Sequence, residues 1–378
     1  MSVRATEASI GIVKCSIDPL LFTKIITVTG TNGKGSTSKL IGLLIQDAGH
    51  SVGVFTNPSF VSRNDQFKIN NKDVTDDSLN AATSYILSCY PEVNGHTLDF
   101  LVALKLFQDE GVEYVVLETM SGGISDSAYG IYSDIVVITS ISKDNMSVVG
   151  RTLEHIAENK MGLAKSGSTM ICNKNVIGYS AIDKAKMRGV NVIIDGKDFS
   201  NDINIETSFP LINASIAIQA VKVAGITPLN VVDVIKDYSS VGHYQKFTVA
   251  SNTVIVDYAH NSEAMNLFVQ RVKRELSVDT LHVNALFYRD KPESHSDMIK
   301  SLSSLTNSWI LYKINTKRLL TPLEMDRKFN INPAVLSTAN DFIDYITHEV
   351  KNSYIIVTGS LNLCCEVTKL LTEENSVT

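Results

Sequence analysis

The sequence predicts an α/β protein, a doubly wound and mostly parallel sheet followed by a second, smaller α/β domain. Three observations carry this. Short strand-like runs that are apolar throughout alternate with helical runs for most of the length, as in a parallel sheet covered on both faces. The alternation pauses near "DYSSVGHYQKF" and restarts at "TVIVDYAHN", which divides the chain into 1–238 and 239–378. With 378 residues, 44% of them hydrophobic and 20% charged, the chain is long enough for two cores.

In order, "KIITVTG" leads to a helix over roughly 34–48, and "HSVGVFT" is the next strand. "LDFLVALKLFQDEG" has helical apolar spacing and precedes the strand "VEYVVLE". "SDIVVITSIS", a helix over roughly 151–165 and the strand "GSTMICN" follow, then the helix "PLINASIAIQAVKVAGI". In the second domain, "TVIVDYAHN", "TLHVNALFY", "SWILYKI" and "SYIIVTGS" read as strands with helices between them. The polar tail "TEENSVT" reads as disordered.

Bulk composition excludes several classes. A net charge of −6 gives no footprint for nucleic acid and argues against an anionic membrane surface. The five cysteines, Cys15, Cys89, Cys172, Cys364 and Cys365, are odd in number and form no CxxC, so they read as small buried hydrophobes in a reducing compartment. The N-terminus has no signal-peptide pattern, and no run approaches the ~18 apolar residues of a membrane span. The expectation is a cytoplasmic protein with neither a membrane nor a nucleic-acid partner.

The stretch "VTGTNGKGSTSKLIGLL", residues 28–44, carries the chemistry. A turn between a parallel strand and a helix exposes backbone N–H groups at the positive end of the helix dipole. Glycines let that backbone wrap an oxyanion, and a lysine adds a full charge aimed at the outer phosphates. Gly30, Thr31, Asn32, Gly33, Lys34, Gly35, Ser36 and Thr37 are therefore the candidate triphosphate cradle of a P-loop-type sheet. Lys34 is its cation, and Ser36 or Thr37 would meet phosphate or Mg²⁺. The strict GxxxxGK[ST] pattern fails, because Val28 stands at its first glycine and Gly35 follows the lysine. A glycine-rich turn without a ligand is the alternative.

"GTNGKGST" resembles the nucleotide loop of the Mur ligase superfamily, in its folylpolyglutamate and dihydrofolate synthase branch. Further segments match that branch in order: "GHSVGVFTNPSFVSRNDQFKINNKDVTDD", "LDFLVALKLFQDEGVEYVVLETMSGGISD" and "VITSISKDNMSVVGRTLEHIAENKMGLAKSG". "VIVDYAHNSEAM" and "IIVTGSLNLCCEV" match it in the second domain, so the resemblance spans about residues 24–370. "LETMSGGISDSAYGIYSDIVVIT" also resembles the ligase half of cyanophycin synthetases.

The resemblance implies a Mur-ligase central domain followed by a Rossmann-like one, and one reaction type. ATP phosphorylates a carboxylate, and an amino group attacks the acyl phosphate to form an amide. It implies ATP and Mg²⁺ as cofactors, with a small carboxylate acceptor and an amino acid, glutamate first, as substrates. Lys34, Glu118 and Lys160 take catalytic positions, and Lys160 matches a lysine that the family carbamoylates. Ser36, Asn57, Glu118 and Asn145 fall at the metal site, where Asn57 and Asn145 replace the family's serine and histidine and Ser59 replaces a second histidine. Asn213, His243, Asp257 and His260 fall at nucleotide-contacting positions, with Asn261 completing the turn and His243 standing where members have arginine. A packing role for Asn213 is equally open.

Asp290 and Lys291 match a second-domain turn, and Arg63 and Asn64 lie in the loop that the family uses near its pterin. Relatives of this size imply a monomer. Two other readings remain: the same chemistry on a non-folate acceptor, and an ATP-binding module impaired in catalysis.

Overall fold

The computed structural model describes residues 10–13, 21–120, 122–144, 146–176, 178–195, 211–238, 241–276, 281–306 and 308–375. The chain divides into two compact units, Met1–Tyr238 and Ser239–Thr378.

The first unit is built on eight strands: β1 (Lys24–Thr29), β2 (Val52–Phe55), β3 (Phe67–Ile69), β4 (Lys72–Asp73), β5 (Tyr114–Glu118), β6 (Ile135–Ile138), β7 (Thr169–Asn173) and β8 (Asn191–Asp195). Their order is β4-β3-β2-β5-β1-β6-β7-β8. From β2 to β8 all neighbours run parallel, as the doubly apolar runs predict. Central β1 pairs Val28 with Glu118 on one side and with Val137 on the other, so the ends of three strands meet beside the glycine-rich turn.

Alternate residues of each strand face opposite sides, and each side has its own apolar cluster. Ile26, Val28, Val116 and Val137 pack with Leu40 and Leu44 of the helix Lys34–Asp47 and with Ala217 of the helix Leu211–Val223. Leu117 and Val136 pack on the other side with Phe100 and Phe107 of the helix Gly95–Asp109 and with Met161 of the helix Leu153–Met161. Each fully buried Leu or Phe contributes about 1.5–3 kcal/mol, so this double layer fixes the strand ends from which the site is built.

The antiparallel hairpin β3–β4 has no counterpart in the sequence reading. Its strands are three and two residues long, too short for a visible alternation, and its turn rests on Asn70 and Asn71 with φ of +48° and +61°. The helix expected over roughly 151–165 is shorter, Leu153–Met161, because Thr152 caps it by accepting from His155 N–H.

The second unit has the strands β9 (Gln245–Val249), β10 (Asn252–Val256), β11 (Leu281–Ala285), β12 (Ile310–Tyr312), β13 (Ala334–Leu336) and β14 (Tyr354–Thr358). Four form a sheet in the order β11-β14-β10-β9, parallel except at β9. β12 pairs with β13, and Trp309, just before β12, bridges to Val283 of β11.

The last helix, Leu361–Asn375, corrects the reading of a disordered tail as far as residue 375. Leu363, Val367 and Leu371, at helical spacing, are buried and hold it down. Residues 376–378 lie outside those described. Among the described cysteines, Cys172 and Cys364 are buried, Cys365 is half-buried and Cys89 is exposed, against the expectation that all are interior. Among the described residues no helix is long and apolar enough to cross a membrane.

Candidate active site

The site grows from the turn between β1 and the helix Lys34–Asp47. Gly30 and Gly33 have φ of +146° and +81°, a region that side chains rarely adopt. A Cβ on Gly30 would stand 1.9 Å from Thr139 Oγ1, and one on Gly33 would stand 2.5 Å from Asn213 Nδ2. The turn is braced from the end of β6. Thr31 N–H donates to Ser140 O at 2.9 Å, Asn32 N–H to Ser140 Oγ at 2.9 Å, and Thr139 Oγ1 to Asn32 O at 2.7 Å. Lys34, the first helical residue, lays its ammonium back on the turn, donating to Thr31 O at 3.1 Å. Ser36 and Thr37 are buried, and Thr37 Oγ1 has no hydrogen-bond partner. The first turn of a helix leaves its N–H groups unpaired, so this end can receive oxyanions.

Glu118 closes one side. It ends β5, its neighbour Gly35 has no side chain, and a Cβ there would lie 3.2 Å from Glu118 Oε2. The carboxylate accepts from Asn57 N–H at 2.8 Å. Burial raises its pKa to about 7, opposed by Lys34, by the Asn57 N–H, by Lys39 and by His96. Burial likewise lowers the pKa of Lys39, partly offset by Glu118.

Lys160 closes the other side. It is 3% exposed and donates to Gly30 O at 2.7 Å. Burial and the charge of Lys34 lower its pKa to about 7, while Asp144 and Asp126 pull the other way. Lys34, Glu118 and Lys160, far apart in sequence, thus converge on one turn.

The donors suit a hard divalent cation. Mg²⁺ takes oxygen ligands, commonly one or two carboxylates with the rest from phosphate and water. Glu118 supplies the carboxylate and Ser36 a buried hydroxyl, and half-buried Asn57 has a buried Nδ2 with no hydrogen-bond partner. Among the described residues no three His, Cys, Asp or Glu side chains form a protein-only metal cluster. Asn145 lies outside the described residues.

In the second unit the "DYAHN" segment follows β10. Asp257 accepts from Ala259 N–H and Tyr244 N–H, each at 3.0 Å, and burial raises its pKa to about 7. His260 stacks on Tyr258 at 5.8 Å, and His243 lies 4.5 Å from the same ring. Asn261 caps the helix Ser262–Glu275 by accepting from Ala264 N–H at 3.0 Å. Asp290 is exposed, and Lys291 lies over the Tyr288 ring at 5.7 Å.

Two further expectations land on structural bonds. Arg63 donates to Asp99 and Thr83, and Asn64 to Val74 O and Asp76. Two residues near Glu118 escaped the sequence reading, Lys39 and His96. Lys39 sits in the helix after the motif, and nothing local marks it as buried near a carboxylate. His96, in "NGHTLDF", becomes conspicuous only when folding sets it beside Asp126.

A glycine-wrapped strand–turn–helix with a lysine at the helix start and a buried carboxylate at the neighbouring strand end defines a P-loop-type α/β unit. Residues 28–211 match the Mur ligase middle domain. The likeness extends further along the chain. Dihydrofolate synthase/folylpolyglutamate synthase of Haemophilus influenzae is 23% identical over 90% of this chain and 87% of its own. Folylpolyglutamate synthase of Lacticaseibacillus casei is 25% identical over 92% and 90%. Among solved structures, E. coli FolC in complex with DHPP and ADP has the same fold, with a TM-score of 0.89 at 21% identity, covering 99% of this chain and 95% of that one. The bifunctional synthase of Yersinia pestis complexed with AMPPNP and Mn ion gives 0.86 at 20% identity, over 98% and 95%.

Proposed function

We propose that this chain is an ATP-dependent carboxylate–amine ligase of the folylpolyglutamate/dihydrofolate synthase kind. It joins an amino acid, glutamate first, to a small folate-type carboxylic acid. The observation that carries the reading is the convergence of Lys34, Glu118 and Lys160 on the Gly30–Thr37 turn. The relatives' names point the same way, and one relative's structure has Mn, AMPPNP and L-glutamate bound.

In this reading the turn's N–H groups and Lys34 hold the ATP phosphates, and Asn213 sits behind Gly33. Ser36, Glu118 and Asn57 would hold Mg²⁺, which neutralises phosphate charge when bound. Lys160 has a pKa near 7, so much of it is a neutral amine at physiological pH, the form that adds CO₂. Its carbamate would place an anionic oxygen donor beside Gly30. His243, Asp257 and His260 keep the nucleotide-contacting role that the resemblance implies for them. A carboxylate oxygen of the acceptor attacks the γ-phosphorus of ATP and ADP leaves. The amine then attacks the acyl carbon, the bond to the phosphoryl oxygen breaks, phosphate leaves, and the amine's proton passes to solvent. The protein acts as a monomer in the cytoplasm.

Arg63 and Asn64 are engaged with Asp99, Thr83, Val74 and Asp76, which favours the second reading, the same chemistry on a non-folate acceptor. Phosphate release from Mg-ATP with bicarbonate present tests both. Amino acids would be paired with pteroate, folate and other carboxylates, with Lys34→Ala as the blank. Release that needs one acceptor and one amino acid and vanishes in the variant supports a ligase. Nucleotide binding without turnover on any pair would favour an impaired module.

A further inference from the structure

We propose that Tyr244, clamped by Arg271, is a positioning residue that holds Asp257 and His243 in the arrangement nucleotide binding needs. The inference rests on the ligase reading above, in which Asp257 and His243 keep a nucleotide-contacting role. Tyr244 is a bulky aromatic residue with φ of +52°, in the left-handed region that side chains rarely adopt. Strain of this kind persists only where the surroundings over-determine it, and it gathers at sites where a ligand is held.

The backbone around Tyr244 is tied to the "DYAH" segment at three points. Tyr244 N–H donates to Asp257 Oδ2 at 3.0 Å, and Tyr258 N–H donates to Gly242 O at 3.0 Å. Between these two bonds the His243 ring lies 4.5 Å from the Tyr258 ring. The strained residue is therefore the one whose N–H meets the carboxylate, and its neighbour is His243.

The side chain supplies what offsets the strain. The Tyr244 ring is 5% exposed, with Arg271 Cζ 3.7 Å over its centroid and Phe268 edge-on at 6.0 Å, both from the helix Ser262–Glu275. A cation over a buried ring is attracted to its π face. Glu275, at the end of the same helix, fixes that cation by accepting from Arg271 Nε at 2.7 Å, and its Oε2 lies 3.9 Å from Lys246 Nζ. Burial raises the Asp257 pKa, opposed by the Ala259 and Tyr244 N–H groups and by the charge of Arg271. The last helix turns the Cys364 thiol towards Asp257, and burial and that carboxylate keep the thiol protonated. Arg271 is thus the cation that acts on Asp257, both through the Tyr244 ring and through its field.

The test measures the affinity of the full chain for a fluorescent ATP analogue between pH 6 and 9. Arg271→Met keeps the stem over the ring and removes the charge, and Arg271→Lys keeps a charge. Losing the cation should move the Asp257 titration up by about one unit, so Arg271→Met should bind about tenfold more weakly than wild type at pH 6 and about fivefold more weakly at pH 7. The ratio of the two affinities, in which Glu118 and Lys160 cancel, should shrink towards pH 9, and Arg271→Lys should recover part of the loss. Tyr244→Gly, which adopts φ of +52° without strain, should also bind more weakly because the ring that Arg271 clamps is gone. A ratio that stays flat with pH makes Arg271 a packing residue only and overturns the inference, as does undiminished affinity in Tyr244→Gly; both leave the ligase reading intact. A wild-type protein that binds no ATP analogue overturns both.

Discussion

The ammonium of Lys160 donates to the carbonyl oxygen of Gly30 at 2.7 Å, a contact that spans 130 residues of sequence. It ties the helix Leu153–Met161 to the glycine-rich turn and fixes Lys160 where burial and Lys34 hold its pKa near 7. A lysine at its ordinary pKa would be almost wholly protonated at neutral pH and slow to add CO₂. With ¹³C-labelled bicarbonate, the protein should show a carbamate carbonyl resonance that Lys160→Ala lacks. Turnover of that variant should fall by about a hundredfold or more, the scale of one lost electrostatic group at a transition state. Full activity in Lys160→Ala would remove the lysine from the mechanism.

Glu118 gives a pH dependence of defined sign. Its native pKa of about 7 stands above the ordinary 4.5, so between these values the folded protein keeps a proton that the unfolded chain has released. Stability of the ligand-free protein therefore falls as pH rises through that window, and Asp257 adds the same sign between 3.8 and about 7. Urea midpoints measured from pH 4.5 to 7 should decline, and Glu118→Gln should flatten the decline. Metal–nucleotide binding should run the other way. It needs the ionised carboxylate and should weaken towards about tenfold per unit as pH drops below 7.

Lys160 contributes an opposite slope at higher pH. The native state has lost its proton between about 7 and 10.5 while the unfolded chain still holds it, so stability rises with pH there. Lys160→Met should remove that rise in urea titrations from pH 7 to 9.5. A persistent rise in the variant would assign it to another group.

Gly33→Ala should damage both fold and site. The new Cβ would meet Asn213 Nδ2 at 2.5 Å with φ at +81°. The left-handed conformation alone costs about 1–2 kcal/mol for a residue with a side chain. Urea denaturation should show at least that loss, and fluorescent ATP analogues should bind more weakly. Asn213→Ala, which vacates the space, should recover part of the stability of Gly33→Ala.

Gly53→Ala separates packing from chemistry. Gly53 lies in β2, where a Cβ would come within 2.4 Å of the Phe107 ring. Overpacking a filled core costs about 1–3 kcal/mol. The urea midpoint should fall while nucleotide affinity at a permissive temperature stays unchanged. A nucleotide affinity that falls with it would mean that the β2 edge and the turn are mechanically coupled.

The alternation of doubly apolar strands with helices, the glycine-rich turn and Lys34 at the start of its helix were legible in the chain because they are local. Apolar period, φ preference and helix-end donors depend on a few neighbouring residues. The roles of Glu118, Lys160 and Asn213 were legible only through resemblance. Nothing in "YVVLE" or "ENKMG" states that Gly35 leaves room for one carboxylate or that Gly30 receives one ammonium.

Folding alone decided the charge states, because they follow from burial beneath a double layer of helices. Three-dimensional packing also pairs His96 with Asp126 and engages both oxygens of Asp257 on Tyr244 and Ala259 N–H groups. It occupies Arg63 with Asp99 and builds the β3–β4 edge from strands too short to leave a period. Each of these depends on which groups remote segments bring within a few ångströms, and on how much water they exclude.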